Sequence, residues 1–335
     1  MRDIYFLMTI DTECDKSNDW STRYPFSFKN ILEAIPGRLQ PLFNKYRIQP
    51  TYLISPEVMK NPDCIKVFKN LQGVYELGTH LHGEYIEPHS NYASKTTSDY
   101  QVDYSYEVEY DKMYNLTNLF ESSFGFRPLS FRAGRFGIGP STLRILNKLN
   151  YKTDSSIYPQ KIIRTKNYKL NHYGYPLKPY FPDLKRTLRT ARPGNETILE
   201  VPITVQARLF QLLPAFIGRA FAPSVLFMRL AQILFGKNLI ETHSLRPSRT
   251  SEQDLIDIIN SYLSLHSYNE PVFLNMMFHS NEIYPGSSPY AENNDEVTAW
   301  LGRLEHVLIF LGQIAARSIT LQDSYSILKS RDEAH

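Results

Sequence analysis

The feature that most limits what this chain can fold into is a rhythm of short apolar runs, rich in β-branched and aromatic residues, alternating with longer stretches of helical periodicity. Runs at 4–10, 51–54, 74–78, 129–132, 153–157, 198–203, 272–278 and 318–321 read as strands. Segments 28–46, 58–71, 106–124, 140–149, 251–265 and 295–316 read as helices, the fifth opening on a cap at Thr250 or Ser251. Strands that alternate with helices build a mainly parallel sheet, because a parallel neighbour is reached only through a crossover. About eight strands and at least six helices point to a barrel-like α/β architecture. Neither a repeat nor a linker divides the sequence, so it reads as one domain over 1–335. Two polar segments, 89–104 and 173–194, break the rhythm and read as loops over a site or a face.

Composition narrows the function classes. A chain that is 42% hydrophobic and 21% charged can bury a large core, which excludes wholesale disorder and a collagen-like fibre. The 37 Lys and Arg against 34 Asp and Glu leave a net charge of +3, too small and too dispersed for a nucleic-acid partner. Cys14 and Cys64 supply neither a disulfide framework nor a zinc-ribbon spacing, so a reducing compartment is expected. The run 4–10 is too short for a signal peptide and leads straight into Asp11 and Glu13, so it reads as a strand of a cytoplasmic protein. The 23 Tyr and 19 Phe suit either a sugar-stacking surface or an aromatic core. Tyr85, Tyr92, Tyr100, Phe136, Tyr284 and Tyr290 are the candidates for stacking.

No stretch reaches about 18 uninterrupted apolar residues, so no membrane-spanning helix is expected. Segment 208–236 comes nearest, broken by Arg208, Pro214, Arg219, Pro223 and Arg229. It has two readings. Either it is a helical insertion packed on the barrel, or it is an interfacial element whose arginines meet lipid phosphates, making the protein peripheral at the inner face of a membrane.

Polar residues cluster where four of the expected strands end, the edge on which parallel α/β folds build their sites. Asp11 and Glu13 are two apart and share one side of an extended chain, as do His80 and His82. Two imidazoles and a carboxylate converging on one point are the ligand set of a catalytic divalent metal with open positions for water and substrate. Arg132 opens a glycine-punctuated turn, Arg132-Ala133-Gly134-Arg135-Phe136-Gly137, and can orient a carboxylate through its planar fork or form a structural ion pair. His279 ends an apolar strand, where an imidazole suits general acid or base work.

Together these clusters resemble the polysaccharide deacetylase family, carbohydrate esterase family 4, from Thr9 to about Ser326. The landmarks are TIDTE at 9–13, HLH at 80–82, RAGRFG at 132–137, TDSS at 153–156 and FHS at 278–280, in that order. The strings LRPSR at 245–249 and EIYPGSSPY at 282–290 look like those of a subgroup associated with polysaccharide and capsule biosynthesis. The resemblance implies a distorted (β/α) barrel of about seven strands. It implies a metal-dependent hydrolase that removes an N-acetyl or similar acyl group from a sugar, an oligosaccharide or a lipid-linked glycan. The implied cofactor is a divalent metal, zinc foremost, with cobalt, manganese or nickel as alternatives.

Carried onto this chain, Asp11 becomes the general base and Glu13, His80 and His82 the metal ligands. His279 becomes the general acid, Arg132 positions Asp11, and Asp154 orients or tunes His279. Two landmarks depart from the family pattern. Thr12 separates the two acids, so Asp11 is the alternative carboxylate ligand. Glu84 stands where the family's second histidine falls, so Glu84 or His89 is the alternative to His82. The rival functions are a catalytically degenerate binding or regulatory protein and a hydrolase of another amide on the same scaffold.

Overall fold

In the computed structural model, the residues described are 2–22, 24–92, 99–191, 197–206, 217, 220–221, 224–236, 242–248 and 250–332. Strand β1 (Ile4–Thr12) is buried almost throughout, as its nearly unbroken apolar sequence requires of a parallel strand covered on both faces. The main sheet adds β2 (Pro50–Ile54), β3 (Glu76–Leu81), β4 (Ser130–Ala133), β5 (Thr153–Asp154), β6 (Leu199–Glu200), β7 (Val272–His279) and β8 (Arg317–Ile319). These are the eight runs expected from the sequence. Their order is β6-β5-β4-β3-β2-β1-β7, all parallel, with β8 also paired to β1. The result is a curled, distorted (β/α) barrel.

β1 is the hub. Ile4 to Asp11 pair with β7 along one edge, while the other edge is shared by β8 at Tyr5–Leu7 and β2 at Met8–Thr12. Between β6 and β7 the barrel is closed by side chains as well as backbone. Asn275 N–H donates to Thr204 Oγ1 (2.8 Å), Thr204 N–H donates to the Asn275 carbonyl (3.1 Å), and Asn275 Nδ2 donates to the Val201 carbonyl (3.0 Å).

Alternation along β1 sorts the core. Phe6, Met8 and Ile10 pack in the large cluster that includes Phe131, Leu143, Trp300 and Leu304. Tyr5 and Leu7 pack instead with Leu53, Phe273, Ile319 and Val201. Among the helices, Tyr106–Phe124 has the expected bounds: Ser105 Oγ accepts from Val108 N–H, and Gly125 ends it at φ 83°. Ser251 caps the helix Glu252–Ser264. Segment 28–46 is less regular, with a wide π-type helix over Asn30–Leu39 containing Pro36 before an α-helical Gln40–Tyr46.

Two features escaped the periodicity. The expected loop 173–194 contains an antiparallel ladder, Pro182–Asp183 with Arg186–Thr190. Its turn carries no glycine signal; Asp183 Oδ1 instead accepts from Lys185 N–H at 2.8 Å. The helix Leu321–Asp332 shows little periodicity because it is mostly polar, with only Leu321, Tyr325, Ile327 and Leu328 to mark its inner face. Within the polar segment 89–104, residues 93–98 lie outside the described residues.

Trp300 is fully buried, with its ring edge-on to Phe278 at 4.8 Å, directly behind the end of β7. Trp300→Ala should lower the unfolding free energy by about 3–5 kcal/mol, measured by denaturant titration.

Candidate metal centre and active site

Register assembles the site. Asp11 pairs with His279 across β1 and β7, and His80 pairs with Arg132 across β3 and β4. Paired residues of a parallel sheet project to the same side, so four reactive side chains from four strands meet at the carboxyl ends of the barrel. Glu13 and His82 follow one step beyond their strands. Glu13 N–H donates to Ser280 Oγ (3.2 Å), which ties the turn after β1 to the turn after β7. Gly134 lets β4 pass close to β3: a Cβ there would lie 2.4 Å from the Leu81 carbonyl oxygen.

Glu13, His80 and His82 each offer a ligand atom within 4.8 Å of the others, and this is the one such group among the described residues. His80 Nδ1 lies 3.0 Å from the Arg132 carbonyl, which can only accept, so Nδ1 carries the proton. Nε2 then presents a lone pair 3.3 Å from Glu13 Oε1 and 3.8 Å from Asp11 Oδ2. It is buried without a hydrogen-bond partner. His82 Nε2 lies 3.1 Å from the same Glu13 oxygen, while its Nδ1 is backed at 3.3 Å by Glu84 Oε1.

Two imidazole nitrogens aimed at one carboxylate oxygen call for a positive charge between them. Burial, Glu13 and Glu84 act together on His82, and the two carboxylates outweigh burial to push it up to about 9, so a proton serves where no cation does. On Glu13, burial is outweighed by His82 and Lys16, and the carboxyl stays well below its usual range. The donor set, one carboxylate and two imidazoles with a carboxylate behind one of them, fits a divalent transition metal.

Asp11 stands beside this group. Arg132 Nη1 donates to its Oδ1 at 2.6 Å, and Oδ2 accepts no hydrogen bond among the described residues. Burial pushes this carboxyl up, but Arg132, His80 and His279 outweigh it and hold it below the usual value, so it is ionised at neutral pH. Across the site, His279 Nε2 lies 3.7 Å from Asp11 Oδ2, and its Nδ1 lies 2.9 Å from both Glu282 Oε1 and Arg246 Nη2. Arg246 also donates to Glu282. A cavity of about 500 Å³ opens over these groups, lined in part by Trp20, Tyr100, Phe136, Lys161, Arg164 and Arg246.

The structure thus brings together Asp11, Glu13, His80, His82, Arg132 and His279, and leaves Asp154 out. Asp154 pairs with Phe131, one residue out of phase with Arg132, which turns it to the opposite face of the sheet. There it accepts from Ser156 Oγ and faces Glu200. Burial pushes Asp154 up to about 6, and burial together with the Asp154 charge pushes Glu200 well above its ordinary value. The group that holds His279 is Glu282, three residues on, with Arg246. Both lie in strings the sequence reading quoted, but no spacing rule predicts that they meet.

Glu84 braces His82 from behind and pairs with Arg135 Nη2 at 2.6 Å. His89 is exposed at φ 62° and lies outside the ligand group. Of the aromatic candidates, Tyr100 and Phe136 line the cavity, while Tyr290 packs against Trp20 at 5.6 Å. Trp20, whose ring lies 5.1 Å from that of His279, was missed, although it is one of only two tryptophans in the sequence.

No family model matches the sequence, and no curated protein matches it. Solved structures do share the fold. A probable polysaccharide deacetylase from Pseudomonas aeruginosa PAO1 aligns with a TM-score of 0.55 at 13% identity, over 97% of this chain and 90% of that one. A chain from Mycobacterium smegmatis, provisionally assigned as a polysaccharide deacetylase, aligns with a TM-score of 0.55 at 13% identity, over 98% and 91%. One from Parabacteroides distasonis, provisionally a glycoside hydrolase/deacetylase, reaches 0.57 at 10% identity over 98% and 71%. The barrel is therefore of the polysaccharide-deacetylase type, as the sequence resemblance implied.

Two measurements follow from the geometry. Glu282→Gln leaves the buried Arg246 without its carboxylate and should cost about 3–5 kcal/mol at neutral pH, read by denaturant unfolding. On Glu282, burial is outweighed by Arg246 and His279, which hold it below the ordinary 4.5. A carboxyl depressed by folding contributes stability above its unfolded pKa and loses it as pH falls through the folded value. The wild-type advantage should therefore hold above pH 4.5 and shrink below it. Separately, zinc at about 100 times its dissociation constant should stabilise the fold by about 2.7 kcal/mol. Calorimetry should show that gain vanish in the His80→Ala/His82→Ala double variant.

Proposed function

We propose that this protein is a metal-dependent hydrolase that removes an N-acetyl or similar short acyl group from a sugar in a polysaccharide or glycolipid. The observation that carries the reading is the buried, unpartnered His80 Nε2 facing Glu13, set between a free carboxylate oxygen on Asp11 and an imidazole on His279. This is the arrangement that amide hydrolysis needs, on the fold shared with polysaccharide deacetylases. Glu13, His80 and His82 would hold the cation, which when bound lowers the pKa of a water and polarises the acyl carbonyl.

The chain's own residues do the rest. Asp11 Oδ2 takes the proton of the attacking water, while Arg132 keeps Asp11 ionised and fixed through Oδ1. His279 gives a proton to the nitrogen as the C–N bond breaks, leaving a carboxylate and a free amine. Glu282 and Arg246 fix the ring of His279, and the half-buried Trp20 beside it offers an aromatic face on which a sugar can stack. A second cavity of about 860 Å³ shares Lys16 with the first and carries Tyr284, Asn18 and Glu292, so the groove can hold more than one sugar ring.

Purified protein supplied with zinc should release acetate from N-acetylated chito-oligosaccharides or N-acetylated glycolipids. Asp11→Asn and His279→Ala should each lower kcat by about 100-fold or more, followed by coupled acetate detection. Full activity in either variant would refute the roles. A folded, metal-loaded protein inert on every N-acyl sugar would instead support a binding or regulatory function.

A further inference from the structure

The helix Val225–Phe235 is turned inside out. Leu226, Leu230, Ile233 and Leu234 fall at i, i+4, i+7 and i+8, a single stripe. In a helix packed on a barrel that stripe faces the core. Here the four are 69%, 50%, 79% and 74% exposed, with Phe235 and Phe221 at 52% and 48%, while Ala231 on the inner face is 4% exposed. Soluble surfaces rarely leave so large an apolar patch open without a partner.

Charge says what the partner is. From 207 to 242 the sequence has one acidic residue, Glu241, and four basic ones, Arg208, Arg219, Arg229 and Lys237, while the rest of the chain balances 33 cations against 33 anions. A second copy meeting this face across a two-fold axis would bring two net-basic segments together. An anionic lipid surface meets both demands, apolar depth for the stripe and phosphate for the exposed Arg229 beside it and for the basic sequence around it. Eleven residues span only about 16 Å, half the hydrocarbon thickness, so such a helix lies in the interface and does not cross it.

The segment is rooted at the active-site cavity. It leaves and returns through the antiparallel pair Val205–Gln206 and His243–Ser244. Val205 packs with Phe136 and Ile163, which line the cavity, and Thr242 Oγ1 donates to the carbonyl of Gln160, next to the lining residue Lys161. Arg246, two residues past the returning strand, braces His279.

We propose that the helix Val225–Phe235 is an interfacial membrane element that seats this protein, by the wall of its catalytic cavity, on an anionic bilayer. The consequence for the enzyme is access to acyl sugars presented at a lipid surface.

The test is co-sedimentation of the full chain with vesicles of phosphatidylcholine, with and without phosphatidylglycerol. Binding is expected to the mixed vesicles and to weaken with salt. The Leu226→Ser/Ile233→Ser/Leu234→Ser variant should bind at least about tenfold more weakly. Its circular dichroism, melting temperature and hydrolysis of a soluble N-acyl sugar should be unchanged, so failure of the membrane reading and failure of the hydrolase reading separate. Equal vesicle binding by wild type and variant would overturn the proposal. So would absence of binding to either vesicle, or a wild-type dimer that the same substitutions turn into a monomer.

Discussion

The carboxyl ends of β1, β3, β4 and β5 are held together through one buried guanidinium. Arg132 is fully excluded from solvent and makes four donated hydrogen bonds to β1 and to the residue after β5: Nη1 to Asp11, Nη2 to Thr9 and Ser155 Oγ, Nε to the Ser155 carbonyl. Its own carbonyl accepts from His80 and thereby fixes which nitrogen of that ring is bare. A buried cation without such partners would cost several kcal/mol, so the surroundings of Arg132 are as constrained as the residue itself. Thr9 and Ser155 in turn reach Asn275 at 3.0 Å each, and Asn275 closes the gap between β6 and β7. The same network that holds Asp11 therefore closes the barrel.

A second brace, independent of the first, stands at the end of β7. Glu282 and Arg246 hold the ring of His279, and Trp300 supports the strand from behind through Phe278. Asp11 and His279 are thus fixed by different ion pairs on different elements, with Asp11 Oδ2 and His279 Nε2 3.7 Å apart. Between them, Glu13 Oε1 draws the Nε2 atoms of His80 and His82 toward one point, at 3.3 and 3.1 Å.

The sheet was legible because buried parallel strands are short, continuously apolar and separated by helices, and all eight runs became strands of the main sheet. The small antiparallel ladders were not, since two- or three-residue strands leave no periodic trace. Among site residues, Asp11, Glu13, His80, His82, Arg132 and His279 could be named because each sits at or just past the end of a recognisable strand. Asp154 looked equivalent by the same rule, yet its register puts it with Phe131 on the far face, beside Glu200. One residue of phase separates a site residue from a buried structural one. Glu84, Arg135, Arg246 and Glu282 were invisible as partners because they come from turns and loops, where sequence distance says nothing about contact.

By itself, the sequence determined the strand rhythm, the parallel barrel and the polar ends of its strands, because burial on both faces and the alternation of side chains are local properties that composition must satisfy. Only the tertiary structure decided which polar residues face one another. Pairing register, the path of the turns after β1, β3 and β7, and the burial of Arg132 are set by contacts between segments up to about 270 residues apart. The same holds for the apolar segment at 208–236: its sequence allowed a packed helix or an interfacial one, and the outward-facing stripe on Val225–Phe235 appears only once the chain is folded.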